Sequence, residues 1–137
     1  MSDINKIIEE CKVLEDKYGY FIHCVQEDDN EKFIEFHTHG LIKYNHLELQ
    51  VLGNKFSKEI SCAILNKLSD LIINRGFIFK DKECYLILIN SKEGNFTIKI
   101  KIELVKDSFE EDILRVLILE YYNMKDSNQT IIIPITE

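Results

Sequence analysis

The stretch "FIEFHTHGLIKYNHLEL" (33–49) holds three of the chain's four histidines, His37, His39 and His46, together with Glu35, Lys43, Tyr44 and Glu48. Four kinds of chemistry fit these residue types. His-x-His on a strand with a third His is one way to gather three nitrogen ligands for a metal, and Glu35 or Glu48 could serve as a fourth ligand or a base. Such a site needs nitrogens at roughly 2 Å from one ion and partners that fix each ring. A small anion could instead be gripped by backbone N–H groups of the Gly40 turn, ring donors of His37, His39 and His46, and the charge of Lys43. Tyr44 offers a flat face for a base or sugar.

Acid–base catalysis by His with Glu is the third possibility. No Ser or Cys stands as an evident nucleophile, and Gly-x-Ser-x-Gly is missing. Cys24 adjoins His23, but neighbouring strand residues face opposite sides and cannot pair with each other. The fourth possibility is plain polarity, because one face of an antiparallel sheet is commonly wet and needs no task.

Charge narrows the partners. Residues 1–31 carry three Lys against nine acids, 32–106 twelve basic against eight acidic, and 107–137 two against seven, within a net −7. An acidic chain with no continuous basic stripe is a poor binder of long nucleic acid or a membrane surface. Its basic middle contains the histidines and could still attract a small anion. No apolar run approaches the ~18–20 residues of a membrane span, and the acidic start "MSDINKIIEECK" is unlike a signal peptide. Cys11, Cys24, Cys62 and Cys84 have no C-x-x-C spacing. They are expected as free thiols on inward faces, in a reducing cytosol.

The elements that must position the histidines follow from periodicity. Residues 3–17 read as a helix capped by Ser2, with Ile4, Ile7, Ile8, Cys11 and Leu14 on one face and Gly19 as its stop. Strands are expected at 20–26, 32–39 and 46–52, with a turn over "EDDNE" and a loop at 40–45. In the third of these, Leu47, Leu49 and Val51 point inward, and His46, Glu48 and Gln50 outward. A second helix starts at Ser57 with Phe56 as a staple, runs on the stripe Ile60, Ile64, Leu68, Leu71 and Ile72, and ends at Gly76. Strands at 84–90 and 96–104 follow, the latter alternating Phe96, Ile98, Ile100, Ile102 and Leu104 with Thr97, Lys99, Lys101 and Glu103.

Residues 108–122 give two signals. Ser108 with Glu111 forms a capping box that argues for helix. The branched and aromatic run over 113–122 argues for strand, which is the reading preferred here. "TIIIPIT" is a last strand, and Pro134 sets its end at a sheet edge. The expected fold is one α+β domain with two helices on a largely antiparallel sheet of six or seven strands. On the strand at 32–39, Ile34, Phe36 and Thr38 face the core, while Glu35, His37 and His39 share the other face about 6.6–7 Å apart. His46 at the start of the neighbouring strand and His23 on the preceding one would bring all four imidazoles to one corner.

"HTHGLIKYNHLELQVLG" and the helix after it resemble the bacterial family called domain of unknown function 4262. That family has a small Thr-x-Gly-Leu turn after a strand, then Gly-His-Pro-Glu-Leu leading to a strand and a long helix. Thr38-His39-Gly40-Leu41 matches the turn and Asn45-His46-Leu47-Glu48-Leu49 the second motif. Asn45 stands in place of Gly and Leu47 in place of Pro. "YGYFIHCV" resembles the preceding strand, so the likeness spans about residues 18 to 80. The family name implies no activity.

Together these readings point to a cytosolic, non-enzymatic binding module without a resident metal or cofactor, expected as a homo-oligomer. The expected ligand is a small anionic or nucleotide-like molecule held by His37, Thr38, His39, Gly40, Lys43, Tyr44 and His46. Two alternatives stay open. One is a protein-interaction module of inhibitor or immunity type, using the acidic clusters and the apolar last strand. The other is a metal-dependent hydrolase built on His-x-His.

Overall fold

Strong alternation in the second half of the chain builds the centre of a mixed sheet. In the computed structural model, which describes residues 2–26, 33–53, 58–91, 94–126 and 129–134, the elements run α1 (Ser2–Tyr18), β1 (Phe21–Gln26), β2 (Phe33–His39), a short 3-10 turn (Leu41–Tyr44) and β3 (Leu49–Leu52). There follow α2 (Lys58–Arg75), β4 (Cys84–Ser91), β5 (Gly94–Lys106), β6 (Asp112–Asp126) and β7 (Gln129–Pro134). The sheet order is β1-β2-β3-β6-β5-β4, with β7 also paired to β6. Every pairing is antiparallel except β3 with β6. Two helices and this sheet make an α+β fold.

One face of the sheet is dry. Phe36, Val51, Ile87, Ile89, Ile98, Ile100, Ile102, Leu114, Val116 and Ile118 are buried in one cluster with Ile60, Ile64, Leu65, Leu68 and Ile72 of α2. The α2 stripe is thus core, and truncating Leu65 or Leu68 to Ala should cost about 2–5 kcal/mol. Gly76, at φ 65, closes the helix, and its N–H donates to the Ile72 carbonyl. The expected staple and cap, Phe56 and Ser57, and the "EDDNE" turn lie outside the described residues.

Several expectations change. The capping box at Ser108 starts no helix. Asp107 Oδ1 accepts the N–H groups of Phe109 and Glu111, Glu110 takes φ 62, and the segment turns tightly from β5 into β6. The branched residues then continue as strand. Leu104, read as inward, is exposed, and so is Cys84, while Cys11, Cys24 and Cys62 are half-buried. The apolar stripe of α1 is not fully covered, since Ile8 is 60% and Leu14 44% exposed; the Ile4 and Ile7 side chains lie outside the described set. Gly19 does stop this helix, at φ 87 with its N–H on the Glu15 carbonyl.

The strand expected over 46–52 begins only at Leu49. His46 and Leu47 lie outside the ladder, and Glu48 joins it only through its carbonyl, which accepts the Leu114 N–H. Strand alternation therefore does not govern these side chains, and His46 is buried rather than outward. No helix among the described residues is long and apolar enough to cross a membrane.

Candidate functional site

Two polar constellations grow out of the stretch at 33–49, on opposite sides of β2. The inner one is built on Thr38, which is fully buried as the alternation of β2 requires. Its hydroxyl donates to Glu48 Oε1 at 2.8 Å and accepts the Leu49 N–H at 2.9 Å. Glu48 also accepts the backbone N–H groups of Gly40 (3.0 Å), Leu41 (3.1 Å) and Ile42 (3.4 Å). The carboxylate therefore sits at the N-terminal end of the 3-10 turn, where unpaired N–H groups point. Gly40 is required there. It takes φ 114, and a Cβ would lie 2.9 Å from the Gly19 carbonyl oxygen.

This geometry revises the anion grip. The N–H groups meant for an anion are occupied by Glu48, and Lys43 Nζ is 3.2 Å from Glu15 Oε2. The Tyr44 hydroxyl packs where a side chain at Gly19 would otherwise stand. His46 is separated from the other histidines. Its Nε2 accepts the Phe79 N–H at 3.0 Å and its Nδ1 donates to the Leu47 carbonyl at 2.7 Å, which fixes the tautomer. Phe79 lies edge-on against its ring. His46 is a satisfied core histidine, not a fourth member of the corner.

The outer constellation lies on the open face of the sheet. Register places His23 opposite His37, His37 opposite Gln50, and Gln50 opposite Arg115, one row across β1, β2, β3 and β6. Phe21 lies opposite His39 and stacks on its ring, with centroids 4.9 Å apart and planes at 22°. The three imidazoles converge. Centroids are 4.8 Å apart for His23 and His37, 4.7 Å for His37 and His39, and 5.8 Å for His23 and His39. One ring nitrogen from each lies within 4.8 Å of the other two, and the Nε2 atoms of His37 and His39 are 2.9 Å apart.

A relay of hydrogen bonds braces this cluster from behind. Arg115 Nε donates to Gln50 Oε1 at 2.9 Å, and Gln50 Nε2 donates to Glu35 Oε2 at 2.6 Å. Glu35 Oε1 pairs with His37 Nδ1, which leaves Nε2 of that ring directed at His39. The His37 hydrogen bond holds the Glu35 carboxyl below its usual range, against the opposing effect of burial. His23 and His39 are both lowered, first by desolvation and then by the charge of His37. Their neutral forms, the state in which an imidazole ligates a metal, are thus favoured.

A cleft of about 260 Å³ adjoins His37 and His39, walled on its far side by the β5–β6 turn at 107–113. Its lining includes Asp107, Glu111 and Asp112, the last paired with Lys106 Nζ at 2.6 Å. Glu35 as a ligand or base and His23 as a neighbour are both evident from the sequence, whereas Gln50 and Arg115 as bracing residues are not. Outward alternation of Gln50 was a usable signal, whereas Arg115 reaches it only through the parallel β3–β6 pairing. No protein-family model matches the chain, and no curated protein or solved structure matches it either.

Proposed function

We propose that the protein binds a divalent first-row transition-metal ion, of the Zn2+ class, through the imidazoles of His23, His37 and His39. The observation that carries this reading is the convergence of three ring nitrogens within 4.8 Å, one ring held by a carboxylate on its far nitrogen. Imidazole suits such ions, and a carboxylate behind a ligating His is the usual partner that orients it. Tetrahedral bonds of about 2.05 Å would bring the nitrogens to roughly 3.3 Å from one another. The His37–His39 pair is already close to that spacing, and His23, the exposed member, has the freedom to complete it.

The cleft supports the same reading electrostatically. Lys106 Nζ pairs with Asp112 Oδ1 at 2.6 Å, but Asp107 and Glu111 keep the wall facing the histidine cluster acidic, which favours cations over free anions. Three protein ligands leave a coordination position, and the neighbouring cleft gives water or a small ligand room to take it. The small anionic or nucleotide-like molecule expected from the sequence would then bind as a ligand of the ion, rather than in the filled Gly40 turn. This departs from the metal-free module inferred from sequence.

Native mass spectrometry of untagged protein, followed by calorimetric titration with Zn2+, tests the proposal. One ion per chain should bind saturably, and a His37→Ala/His39→Ala variant should lose that binding while keeping its melting temperature within a few degrees. Absence of retained metal together with no saturable binding of Zn2+, Co2+ or Ni2+ would contradict it.

A further inference from the structure

The strand β4 ends the sheet on the side away from the histidines, and among the described strands β5 is its sole neighbour. Its register with β5 runs without a shift from Cys84 to Ser91. The bond from the Ile102 N–H to the Glu83 carbonyl sets the phase of this ladder. Hydrogen-bonded pairs alternate in an antiparallel ladder, so they fall at Tyr85, Ile87 and Ile89. The backbone N–H and C=O groups of Cys84, Leu86, Leu88 and Asn90 therefore point outward from the sheet edge.

This edge lacks the devices that keep a strand from pairing. "CYLILINS" contains no charge and no Pro, it has no bulge, and its side chains Leu86 and Leu88 are 66% and 52% exposed on the open face. β7, by contrast, ends in Pro134. The β4 pattern is also nearly symmetric about Ile87, with Leu on both sides and then Tyr85 and Ile89. A two-fold axis at Ile87 would set Leu86 opposite the partner's Leu88 and Leu88 opposite the partner's Leu86, all four backbone groups in hydrogen-bonding positions.

We infer that β4 is a homodimer interface, in which two copies join edge to edge in antiparallel register and continue one sheet through both. The occupant is a second copy because the near-palindromic order of β4 makes the strand complementary to itself, Leu86 meeting Leu88 under a two-fold axis. The inference stands on the edge geometry and is independent of the metal site.

Light scattering on the full chain across a concentration series tests it, alongside a Leu86→Lys/Leu88→Lys variant. Both leucines are exposed, so the variant should keep its fold, as circular dichroism would verify. The expected result is twice the chain mass for the natural sequence and the single-chain mass for the variant. Amide exchange on the natural sequence gives a second reading. The N–H groups of Leu86 and Leu88 should slow as concentration rises, while those of β7 stay unchanged. A natural chain that is monomeric throughout overturns the inference, as does a dimer that survives the two lysines or protects β7 instead of β4.

Discussion

Two histidines of the same short stretch, His46 and His37, show opposite ways of using one side chain. His46 is buried where the chain has left the sheet, and both ring nitrogens are taken by backbone groups of residues 47 and 79. His37 stays on the strand, one nitrogen held by Glu35 and the other turned to a second imidazole. Glu48 and Glu35 repeat the contrast. Both carboxylates line the cleft, but the first closes a turn by accepting three backbone N–H groups and a hydroxyl, whereas the second braces a ring. Residue type does not separate structure from chemistry here. What separates them is whether the hydrogen-bonding capacity is used up inside the fold.

The sharpest way to break that contrast is to exchange the effects of the two carboxylates. Glu48→Ala removes an acceptor shared by four donors, and charge-assisted bonds of this kind are worth about 1.5–3 kcal/mol each before relaxation. A stability loss of about 3 kcal/mol is expected by chemical denaturation, with metal binding by the folded fraction intact. Glu35→Ala should do the reverse. Loss of the partner behind a ligating His weakens metal affinity about 10–100-fold, while the melting temperature moves little. A large stability loss from Glu35→Ala with unchanged affinity would reverse the assignment.

Acidity supplies a smaller effect with a definite sign. His23 and His39 have folded values below their ordinary one, so the unfolded chain binds more protons as pH falls through the usual His range. Stability from these groups is present above that range and declines through it. Glu35, also lowered, loses its contribution further down, as pH falls through its folded value. Melting temperature should therefore decrease from pH 7.5 to 5.5, and a His23→Gln/His39→Gln variant should flatten that decline. An equal slope in the variant would remove the histidines as its source.

The smallest expected effect concerns thiols. Burial and the neighbouring Cys24 push the Cys62 thiol up to about 11, whereas Cys84 is exposed. Thiolate is the reacting species. Alkylation at neutral pH followed by peptide mapping should modify Cys84 first and Cys62 last.

Much of this scaffold was legible because its signals are local. The period of two over 96–103 and the stripe of α2 each needed only a short window, and both lead directly to the core. The outward face of Glu35, His37 and His39 followed from the same alternation. His46 escapes the alternation because it and Leu47 lie outside the ladder, which Glu48 joins only through its carbonyl. The capping box at Ser108 misled for a related reason, since Asp107 uses the same kind of side-chain acceptor to close a turn. Gln50 and Arg115 could not be joined in advance. They are 65 positions apart, and the parallel pairing that unites them leaves no mark in either segment.

Long-range 1H–15N spectra of the imidazole nitrogens, recorded as Zn2+ is added, would report on all four histidines at once. One nitrogen each of His23, His37 and His39 should shift to the metal-bound position at one equivalent, Nε2 in the case of His37, while both His46 nitrogens keep their frequencies. Coordination that draws in His46, or an ion that leaves the other three rings unshifted, would mean that the braced cluster on the open face is not the metal's seat.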